Sequence, residues 1–283
     1  MKINNLAKGL LIEIRPLPTV AAITAGLIGF LLAKPSILPL TQVLLFSLAI
    51  FLIMLTVHIH DTYIDYYIRG EDKIYDFGLL DSSNNLISIR QMKTVLTVTS
   101  ATYFLVIAFL TVKGGGAVFA ALATLGWIIG LLYTPYLDKN PILSSFSYPF
   151  GMLLTILGAA YLIQQTFKPA ILFYATALML CLGGAKMVED LIDMAHDPDY
   201  GKATIATRMG FDAAKKIGYA IVFSGLGLLG FASLTGFIPP FIILGTLIGG
   251  AVAAFSYRLP PIRGVYLLVA GLYVVMLATL IPA

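Results

Sequence analysis

The sequence predicts an all-α, polytopic membrane protein, and three observations lead to this fold class. Of the 283 residues, 59% are hydrophobic and only 11% are charged, whereas soluble domains contain about 25% charged residues. The mean hydropathy is +0.93. Apolar runs recur along the whole length, and each is long enough to cross the hydrocarbon layer as a helix. We therefore expect transmembrane helices around a central cavity, in a single domain that covers residues 1–283.

Interruptions of the apolar pattern divide the chain into nine predicted transmembrane helices. Glycine and proline, the residues that most often end a helix, mark the interruptions together with charged residues. The predicted spans are residues 17–34, 37–59, 93–113, 115–134, 143–164, 169–192, 215–234, 237–256 and 265–282.

The distribution of charge predicts which side faces the cytoplasm. The N-terminus and the loops after the second, fourth, sixth and eighth spans carry 14 of the 18 Lys and Arg residues. The positive-inside rule therefore places the N-terminus in the cytoplasm. All 14 Asp and Glu residues lie on this side or at its helix ends, although the rule does not require acids to segregate. We expect a polar chamber that faces the cytoplasm, in the plasma membrane if the cell is prokaryotic.

Two long segments on this side, residues 58–92 and 186–214, each contain an acidic motif where a span ends. The motifs are four spans apart, which predicts a pseudo-repeat of four plus four helices with a ninth helix added. The single cysteine, Cys181, permits no intrachain disulfide. No basic stripe is interleaved with aromatic residues, so we expect no nucleic-acid partner. The first sixteen residues lack the apolar core of a cleavable signal peptide.

The acidic motifs predict a metal site. Helical residues four apart share a face, with Cβ atoms about 6 Å apart, so Asp61 and Asp65 point in one direction, as do Asp193 and Asp197, with Asp190 one turn earlier. Carboxylates this close repel each other unless a cation lies between them. Oxygen ligands suit Mg²⁺, which usually binds together with a phosphate-bearing substrate. We predict that these five residues hold magnesium, although a solvated, capped helix end is the alternative for either motif alone.

Both motifs resemble those of a known family. The segment Glu189–Gly210 is similar to the second aspartate-rich motif of the UbiA superfamily of intramembrane prenyltransferases, DxxDxxxDxxxGxxT followed by a basic residue and Gly. The segment Asp61–Asp72 resembles the first motif, NxxxDxxxD, in the version found in naphthoate prenyltransferases of the menaquinone pathway. Arg15-Pro16 resembles a common N-terminal feature of the family. The resemblance extends over essentially the whole chain, and it implies magnesium-dependent ionisation of a polyprenyl diphosphate.

The sequence departs from the family pattern at several positions. The usual first Asn is Asp61 here, or His60 in a shifted register, and one extra residue lies between Asp65 and Gly70. Glu189 stands where a basic residue commonly precedes the second motif. The resemblance therefore leaves the identity of the acceptor open.

The resemblance also implies roles for individual residues. It gives catalytic roles to Asp61, Asp65, Asp193 and Asp197, and to Lys139, which ends a segment from Tyr133 similar to a short family motif. Cations stabilise the charge that grows on a leaving diphosphate. The cations expected to bind substrate are Arg15, Arg69, Lys73, Lys202 and Arg208. The alternative for each of them is that it only anchors a cytoplasmic loop at the membrane surface, as the positive-inside rule expects.

Aromatic and imidazole side chains complete the predicted site. Tyr63 and Tyr67 alternate with the first aspartates, and aromatic faces attract cations. These two residues are expected to shield an allyl cation, although an ordinary position at the membrane interface is the alternative for each of them. Tyr133, in the segment that resembles the short family motif, is expected to bind substrate. His60 is expected to take the place of the missing Asn, either as a polar ligand or as a hydrogen-bond donor to the diphosphate. Glycines such as Gly151 and Gly184 either leave room for a prenyl tail or permit close helix packing.

The leading functional hypothesis is transfer of a polyprenyl group to an aromatic or quinone-precursor ring, in contact with membrane lipid. Within the same chemistry, the alternatives are a glycerol-phosphate lipid acceptor and cyclisation to a terpene. A cation transporter is the non-enzymatic alternative, because intramembrane acids also mark ion pathways. The prenyl chain length and the oligomeric state are not indicated by the sequence.

Overall fold

The computed structural model describes residues 2–33, 39–70 and 87–280. Within these ranges the chain forms α-helices, joined by short π- and 3₁₀-helical turns, and no β-strand. The helices are α1 (Lys2–Glu13), α2 (Pro16–Leu32), α3 (Leu40–Thr62), α4 (Ile89–Leu110), α5 (Gly116–Tyr136), α6 (Pro141–Gln164), α7 (Pro169–Asp193), α8 (Ile205–Met209), α9 (Phe211–Leu234), α10 (Ile242–Ser256) and α11 (Pro261–Thr279).

Each predicted span overlaps one of these helices, from α2 to α7 and from α9 to α11. Helix formation is enforced in such segments, because lipid offers no hydrogen-bond partner to the backbone. By length and hydropathy, six helical segments of the described chain qualify to cross a membrane, or seven if the bent pair of α1 and α2 is counted as one span. The shorter α10 does not qualify.

One of the six segments, Ile89–Lys139, contains both α4 and α5. Its 51 residues extend over about 77 Å at the rise of an α-helix, more than twice the thickness of the hydrocarbon layer. The break lies in a π-helical turn at Thr111–Gly115, where Gly114 has φ 132° and the following Gly116 has φ 63°. Both values lie in the region that favours glycine, so these residues permit α4 to turn back into α5.

The glycines of α7 show how closely the central helices approach each other. A Cβ atom on Gly184 would lie 2.4 Å from the carbonyl oxygen of Gly218 in α9, and one on Gly183 would lie 2.4 Å from the ring of Phe146 in α6. These glycines serve helix packing, as small residues often do in membranes.

Other glycines line a central cavity of about 330 Å³, which is enclosed by α2 to α7 and α11. A Cβ atom on Gly151 would meet no atom within 4 Å, and one on Gly158 would make only ordinary contacts with Phe46 and Phe119. The rings of Phe46 and Phe119 are buried, with centroids 6.0 Å apart, and both line the cavity. The expected central cavity is therefore present, and its walls are largely apolar.

The first helix, α1, was not among the predicted spans. It meets α2 at an angle of 55°, and the residue between them, Arg15, has φ 43°. The Nδ1 atom of His58 bonds the backbone oxygen of Glu13 at 3.1 Å, and the hydroxyl of Thr62 donates to the Glu13 carboxylate at 2.9 Å. These bonds attach the end of α1 to α3 and place Arg15 in the cavity wall.

Substitution of Gly184 by Ala tests the close approach of α7 and α9. We expect Gly184→Ala to destabilise the protein by about 1–3 kcal/mol, the usual cost of forcing extra atoms into a packed interior. Thermal unfolding in detergent measures the effect. The matched control is Gly227→Ala in α9, since a Cβ atom there would meet no atom within 4 Å. Equal unfolding temperatures for the two variants would contradict the close packing.

Candidate active site

The first acidic motif lies where α3 changes its winding. Beyond Thr62 the backbone continues as a π-helical turn, Tyr63–Ile68. A π-helix closes its hydrogen bonds over one more residue than an α-helix, and such turns are frequent at functional sites. The extra residue between Asp65 and Gly70 is thus accommodated inside the helix. Asp61 and Asp65 remain buried, with exposed fractions of 9% and 8%.

Arg69 connects this motif to the end of α5. Its guanidinium donates to the Asp65 carboxylate at 3.1 Å and to both carboxylate oxygens of Asp138, at 2.5 and 3.0 Å. It also donates to the backbone oxygen of Thr134, whose hydroxyl donates to the Asp61 carboxylate. A guanidinium that donates to both oxygens of one carboxylate fixes the relative orientation of the two groups as well as their distance. The ends of α3 and α5 are therefore held together by charge-assisted hydrogen bonds.

The second acidic motif begins in the last turns of α7. Asp190 is 4% exposed and lies 2.8 Å from the ammonium of Lys186, which is also 3.4 Å from Glu189. Asp193 is exposed at the end of α7, and Asp197 is buried at the start of a 3₁₀ turn, Asp197–Tyr200. In the sequence of the second motif, the exposed Asp193 therefore lies between the buried Asp190 and Asp197.

Lys202 lies between the two motifs. Its ammonium is 3.3 Å from the Asp65 carboxylate, and it interacts electrostatically with Asp61, Asp193 and Asp197. The next residue, Ala203, donates its backbone N–H to the backbone oxygen of Asp138 at 2.8 Å. The loop after α7 is therefore bound to the ends of α3 and α5, and the two motifs meet at one end of the helix bundle.

Asp61 lines the polar end of the cavity together with Arg15, Lys186 and Tyr133. The other four predicted metal ligands, Asp65, Asp190, Asp193 and Asp197, lie beyond this end and do not line the cavity. Tyr133 interacts electrostatically with Lys186, Asp190 and Asp61. Away from this end, the lining is dominated by aliphatic and aromatic residues as far as Phe46. A cluster of acidic and basic side chains therefore lies at one end of an apolar cavity. This arrangement suits a ligand with a charged head and a hydrocarbon tail.

A model of the UbiA prenyltransferase family matches residues 21–263. The chain belongs to the UbiA prenyltransferase family. Both acidic motifs lie within the matched range, so the resemblance predicted from them is confirmed. No curated protein matches the sequence.

Solved structures of UbiA homologues share the fold. A homologue from Aeropyrum pernix K1 superposes with a TM-score of 0.75 at 16% identity, over 93% of this chain and 96% of that one. A homologue from Archaeoglobus fulgidus bound to DMAPP and Mg²⁺ gives 0.72 at 16% identity, over 97% and 100%. A structure concerned with digeranylgeranylglyceryl phosphate synthase gives 0.70 at 15% identity, over 96% of both chains.

The residues of this UbiA protein fit magnesium, although they do not form a ready-made cage. Within the described ranges, no group of three or more His, Cys, Asp or Glu side chains is close enough to hold a metal ion. Two of the predicted ligands instead form ion pairs, Asp190 with Lys186 and Asp65 with both Lys202 and Arg69. Mg²⁺ needs only one or two carboxylates when phosphate and water supply its other ligands. The donors are thus of the right type, and the A. fulgidus homologue contains Mg²⁺.

Several predicted site residues lie away from the cavity. Lys139 is exposed beside the buried Asp138, and Arg208 is exposed in the last turn of α8. Tyr63 and Tyr67 pack with Ile59 and Met92 in a separate cluster, since residues four apart share a helix face and both tyrosines follow Ile59 at this spacing. The ammonium of Lys93 lies 5.6 Å from the Tyr63 ring.

His60 and Lys73 were also predicted to bind substrate. His60 is half-buried, its Nδ1 atom has no hydrogen-bond partner, and it interacts electrostatically with Asp65. It therefore lies near the site without lining the cavity. Lys73 falls outside the described residues.

Sequence reasoning missed Asp138, Thr134 and Lys186. The spacing of Lys186, three residues before Glu189 and four before Asp190, was a usable signal, since such residues share a helix face. The role of Asp138 had no comparable signal, because its partner Arg69 is remote in the sequence.

The pKa of Asp197 predicts a pH dependence of metal binding. Burial, followed by the charge of Asp190, raises the pKa of Asp197 to about 7, whereas an exposed aspartate titrates near 3.9. Because the proton must leave before the carboxylate binds a cation, we expect affinity for Mn²⁺, used as a paramagnetic substitute for Mg²⁺, to weaken as the pH falls from about 8 to about 6. Electron paramagnetic resonance on the purified protein measures it.

The control for this experiment is Asp197→Asn, which removes the titrating group at nearly constant size. We expect this variant to bind the ion more weakly at high pH and to lose most of the pH dependence. The same slope in both proteins would show that another group titrates.

Proposed function

We propose that this protein is a magnesium-dependent intramembrane prenyltransferase, which ionises a polyprenyl diphosphate and transfers the prenyl group to an aromatic or quinone-precursor ring. The observation that carries the proposal is the junction of two acidic motifs at the mouth of an apolar cavity. Family membership and the homologues bound to GPP or DMAPP with Mg²⁺ support the donor class.

The cavity fits the donor because its two ends differ in chemistry. The diphosphate head would lie at the polar end, held through Mg²⁺ by Asp61, Asp65, Asp190, Asp193 and Asp197. The tail would lie along α3 from Asp61 toward Phe46, a distance of about 22 Å at the rise of an α-helix. Such an apolar environment excludes water, which would otherwise capture a carbocation.

The chain's own residues supply most of the catalytic environment. When bound, Mg²⁺ supplies Lewis-acid neutralisation of the leaving diphosphate. Lys202 and Arg15 contribute fixed positive charge where negative charge develops. Arg69 acts through Asp65 and Asp138, whose positions it fixes. The face of Tyr133, at the polar end of the cavity, is suited to shield the allyl cation.

The proposal includes a topology. Nine transmembrane helices, α2 to α7 and α9 to α11, would place the N-terminus and both acidic motifs on the cytoplasmic side. The basic residues of the loops support this orientation through the positive-inside rule. In a prokaryote, the membrane would be the plasma membrane.

A glycerol-phosphate lipid acceptor is the second candidate, because the fold also resembles that in the structure concerned with digeranylgeranylglyceryl phosphate synthase. Cyclisation of the same cation needs no acceptor. Incubation of the purified protein with geranylgeranyl diphosphate and Mg²⁺, with and without an acceptor, distinguishes these outcomes. Hydrocarbon formed without acceptor would favour cyclisation, and ion flux in proteoliposomes without diphosphate release would favour a transporter.

Asp65→Ala and Asp193→Ala test the acidic motifs. We expect each substitution to abolish diphosphate release from a panel of prenyl donors, because each removes a carboxylate from the magnesium site. Asp212→Ala is the matched control, since Asp212 is exposed at the start of α9. Gel filtration and thermal unfolding confirm that the variants fold. Full activity in either variant would remove that residue from the proposed site.

Gly151→Leu tests the cavity as the place of the prenyl tail. Because open space faces Gly151, the new side chain would project into the cavity and obstruct long tails first. We expect diphosphate release from geranylgeranyl diphosphate to fall about tenfold or more, and release from dimethylallyl diphosphate to fall much less. The control is Gly227→Leu, on an exposed face of α9. Equal losses with both donors would contradict the assignment.

A further inference from the structure

His58 lies near the end of α3 and lines the central cavity. It is buried, with an exposed fraction of 6%. Its Nδ1 atom lies 3.1 Å from the backbone oxygen of Glu13. One nitrogen of the ring therefore helps to hold α1 against α3, and this bond does not account for the second nitrogen, Nε2.

The partner of Nδ1 determines the tautomer of the His58 ring. A backbone carbonyl oxygen only accepts hydrogen bonds, so the proton lies on Nδ1. The ring also contacts the backbone oxygen of Ile14, the residue after Glu13. Because the two ring nitrogens point in nearly opposite directions, this adjacent oxygen lies on the Nδ1 side as well. In the neutral ring, which an apolar cavity favours, Nε2 then carries an unshared electron pair.

The Nε2 atom of His58 is accessible from the cavity. Among the described residues, it has no hydrogen-bond partner. The buried side-chain atoms that lack a partner in the same ranges belong to His60, Trp127 and Gln164, and Nε2 of His58 is not one of them. It is therefore not sealed by the surrounding packing. Because His58 lines the cavity, we assign this access to the cavity.

His58 lies one helical turn from Asp61, on the side of the apolar part of the cavity. Residues three apart share a helix face, and both side chains line the cavity. The separation along α3 is about 4.5 Å at the rise of an α-helix. In a prenyl diphosphate, the carbon that loses the diphosphate is bonded directly to the head group, which would lie at Asp61. His58 is therefore level with the reacting carbon of the proposed donor.

An accessible electron pair at this level is suited to accept a proton from a second substrate. A general base works best when its pKa is near the operating pH, and an unperturbed imidazole titrates near 6.5. A phenolic hydroxyl has a pKa of about 10, whereas an aliphatic hydroxyl is a far weaker acid. The chemistry of His58 therefore favours a ring hydroxyl over the hydroxyl of a glycerol lipid.

We infer that His58 is the catalytic base for a phenolic acceptor, whose hydroxyl binds to Nε2 and gives up its proton there as the ring attacks the allyl cation. The inference rests on the proposed prenyltransferase function and adds the chemical class of its acceptor. It also gives the ring of His58 two separate roles, one for each nitrogen.

The bonds and protons of this step balance. The bond between the donor carbon and the diphosphate breaks, and its electron pair leaves with the diphosphate. The O–H bond of the acceptor breaks, its proton goes to Nε2, and its electron pair moves into the ring as a ring carbon bonds to the allyl carbon. The proton on that ring carbon then passes to the diphosphate, and the imidazolium returns its proton to the oxygen, which restores the phenol.

Binding of naphthol and of its methyl ether tests the hydrogen bond to Nε2, since the ether has no proton to donate. Calorimetry with the full-length protein in detergent, without metal or prenyl donor, measures both affinities. We expect the wild-type protein to bind naphthol about fivefold more tightly, as one net hydrogen bond gives.

His58→Asn is the test variant, because an asparagine amide can still donate to the Glu13 oxygen but has no basic nitrogen. We expect the preference for naphthol to disappear, and thermal unfolding confirms that the variant folds. His196→Asn, the same substitution at an exposed position outside the cavity, is the matched control and is expected to keep the preference. His58→Gln is a second variant, whose longer side chain brings a hydrogen-bond acceptor without a base to the position of Nε2. It is expected to keep part of the preference.

Prenyl transfer distinguishes a base from a residue that only maintains the structure. With geranylgeranyl diphosphate and Mg²⁺, we expect both His58→Asn and His58→Gln to slow transfer to naphthol by about a hundredfold or more, the usual contribution of a general base. Transfer to nitronaphthol, whose hydroxyl loses its proton far more readily, is expected to slow much less. A residue that only holds α1 in place would slow both transfers equally.

The outcomes separate this inference from the proposed function. The inference is overturned if the wild-type protein binds neither compound, if His58→Asn keeps the wild-type preference, if naphthol is not prenylated, or if both transfers slow equally. In each of these cases, diphosphate release from prenyl donors still supports the proposed function. Absence of diphosphate release with every donor overturns the proposed function itself, and with it the catalytic role of His58.

Discussion

The structure depends on the need to compensate carboxylates that are buried at the end of an apolar helix bundle. Asp65, Asp138 and Asp190 are each at most 8% exposed, and an unpaired charge in such a position is very costly. Arg69 and Lys202 reach Asp65 from two directions, while Lys186 reaches Asp190. Because Arg69 and Lys202 come from the segments after α3 and α7, their pairing with Asp65 determines where those segments lie. The same pairing places the two acidic motifs at one cavity mouth, where a magnesium diphosphate would replace part of it.

The apolar cavity and the charged cluster depend on each other. An ion pair surrounded by low-dielectric walls is stronger than in water, and polar groups at the end of an apolar cavity fix the orientation of a ligand within it. Glycines contribute in two opposite ways. Gly184 permits the backbones of α7 and α9 to pack closely, whereas Gly151 leaves open space that a larger side chain would fill. Substitutions at the two kinds of glycine would therefore disturb different properties, stability in one case and ligand size in the other.

Most of the helices could be predicted from the sequence, since long apolar runs have no alternative to helix in lipid. The acidic motifs were also recognisable, because their spacing is local. The directions of side chains around the first motif were not. The π-helical turn at Tyr63–Ile68 had one sequence signal, the extra residue before Gly70. The packing of Tyr63 and Tyr67 against Ile59 and Met92 had none, because Met92 belongs to α4, which approaches only in the folded chain. Asp138 was missed in favour of the adjacent Lys139 for a similar reason: its burial depends on Arg69, which approaches only in the folded chain.

The size of the cavity constrains the order of events in the proposed turnover. Phe46 and Phe119 are buried in its wall, and its volume of about 330 Å³ would hold one long hydrocarbon tail at a time. In the proposed reaction, product and fresh donor would therefore exclude each other, and the product would have to leave before the next donor binds. Because a longer product has more hydrocarbon surface to withdraw, the lifetime of the product complex would limit the rate of repeated cycles most for long prenyl chains.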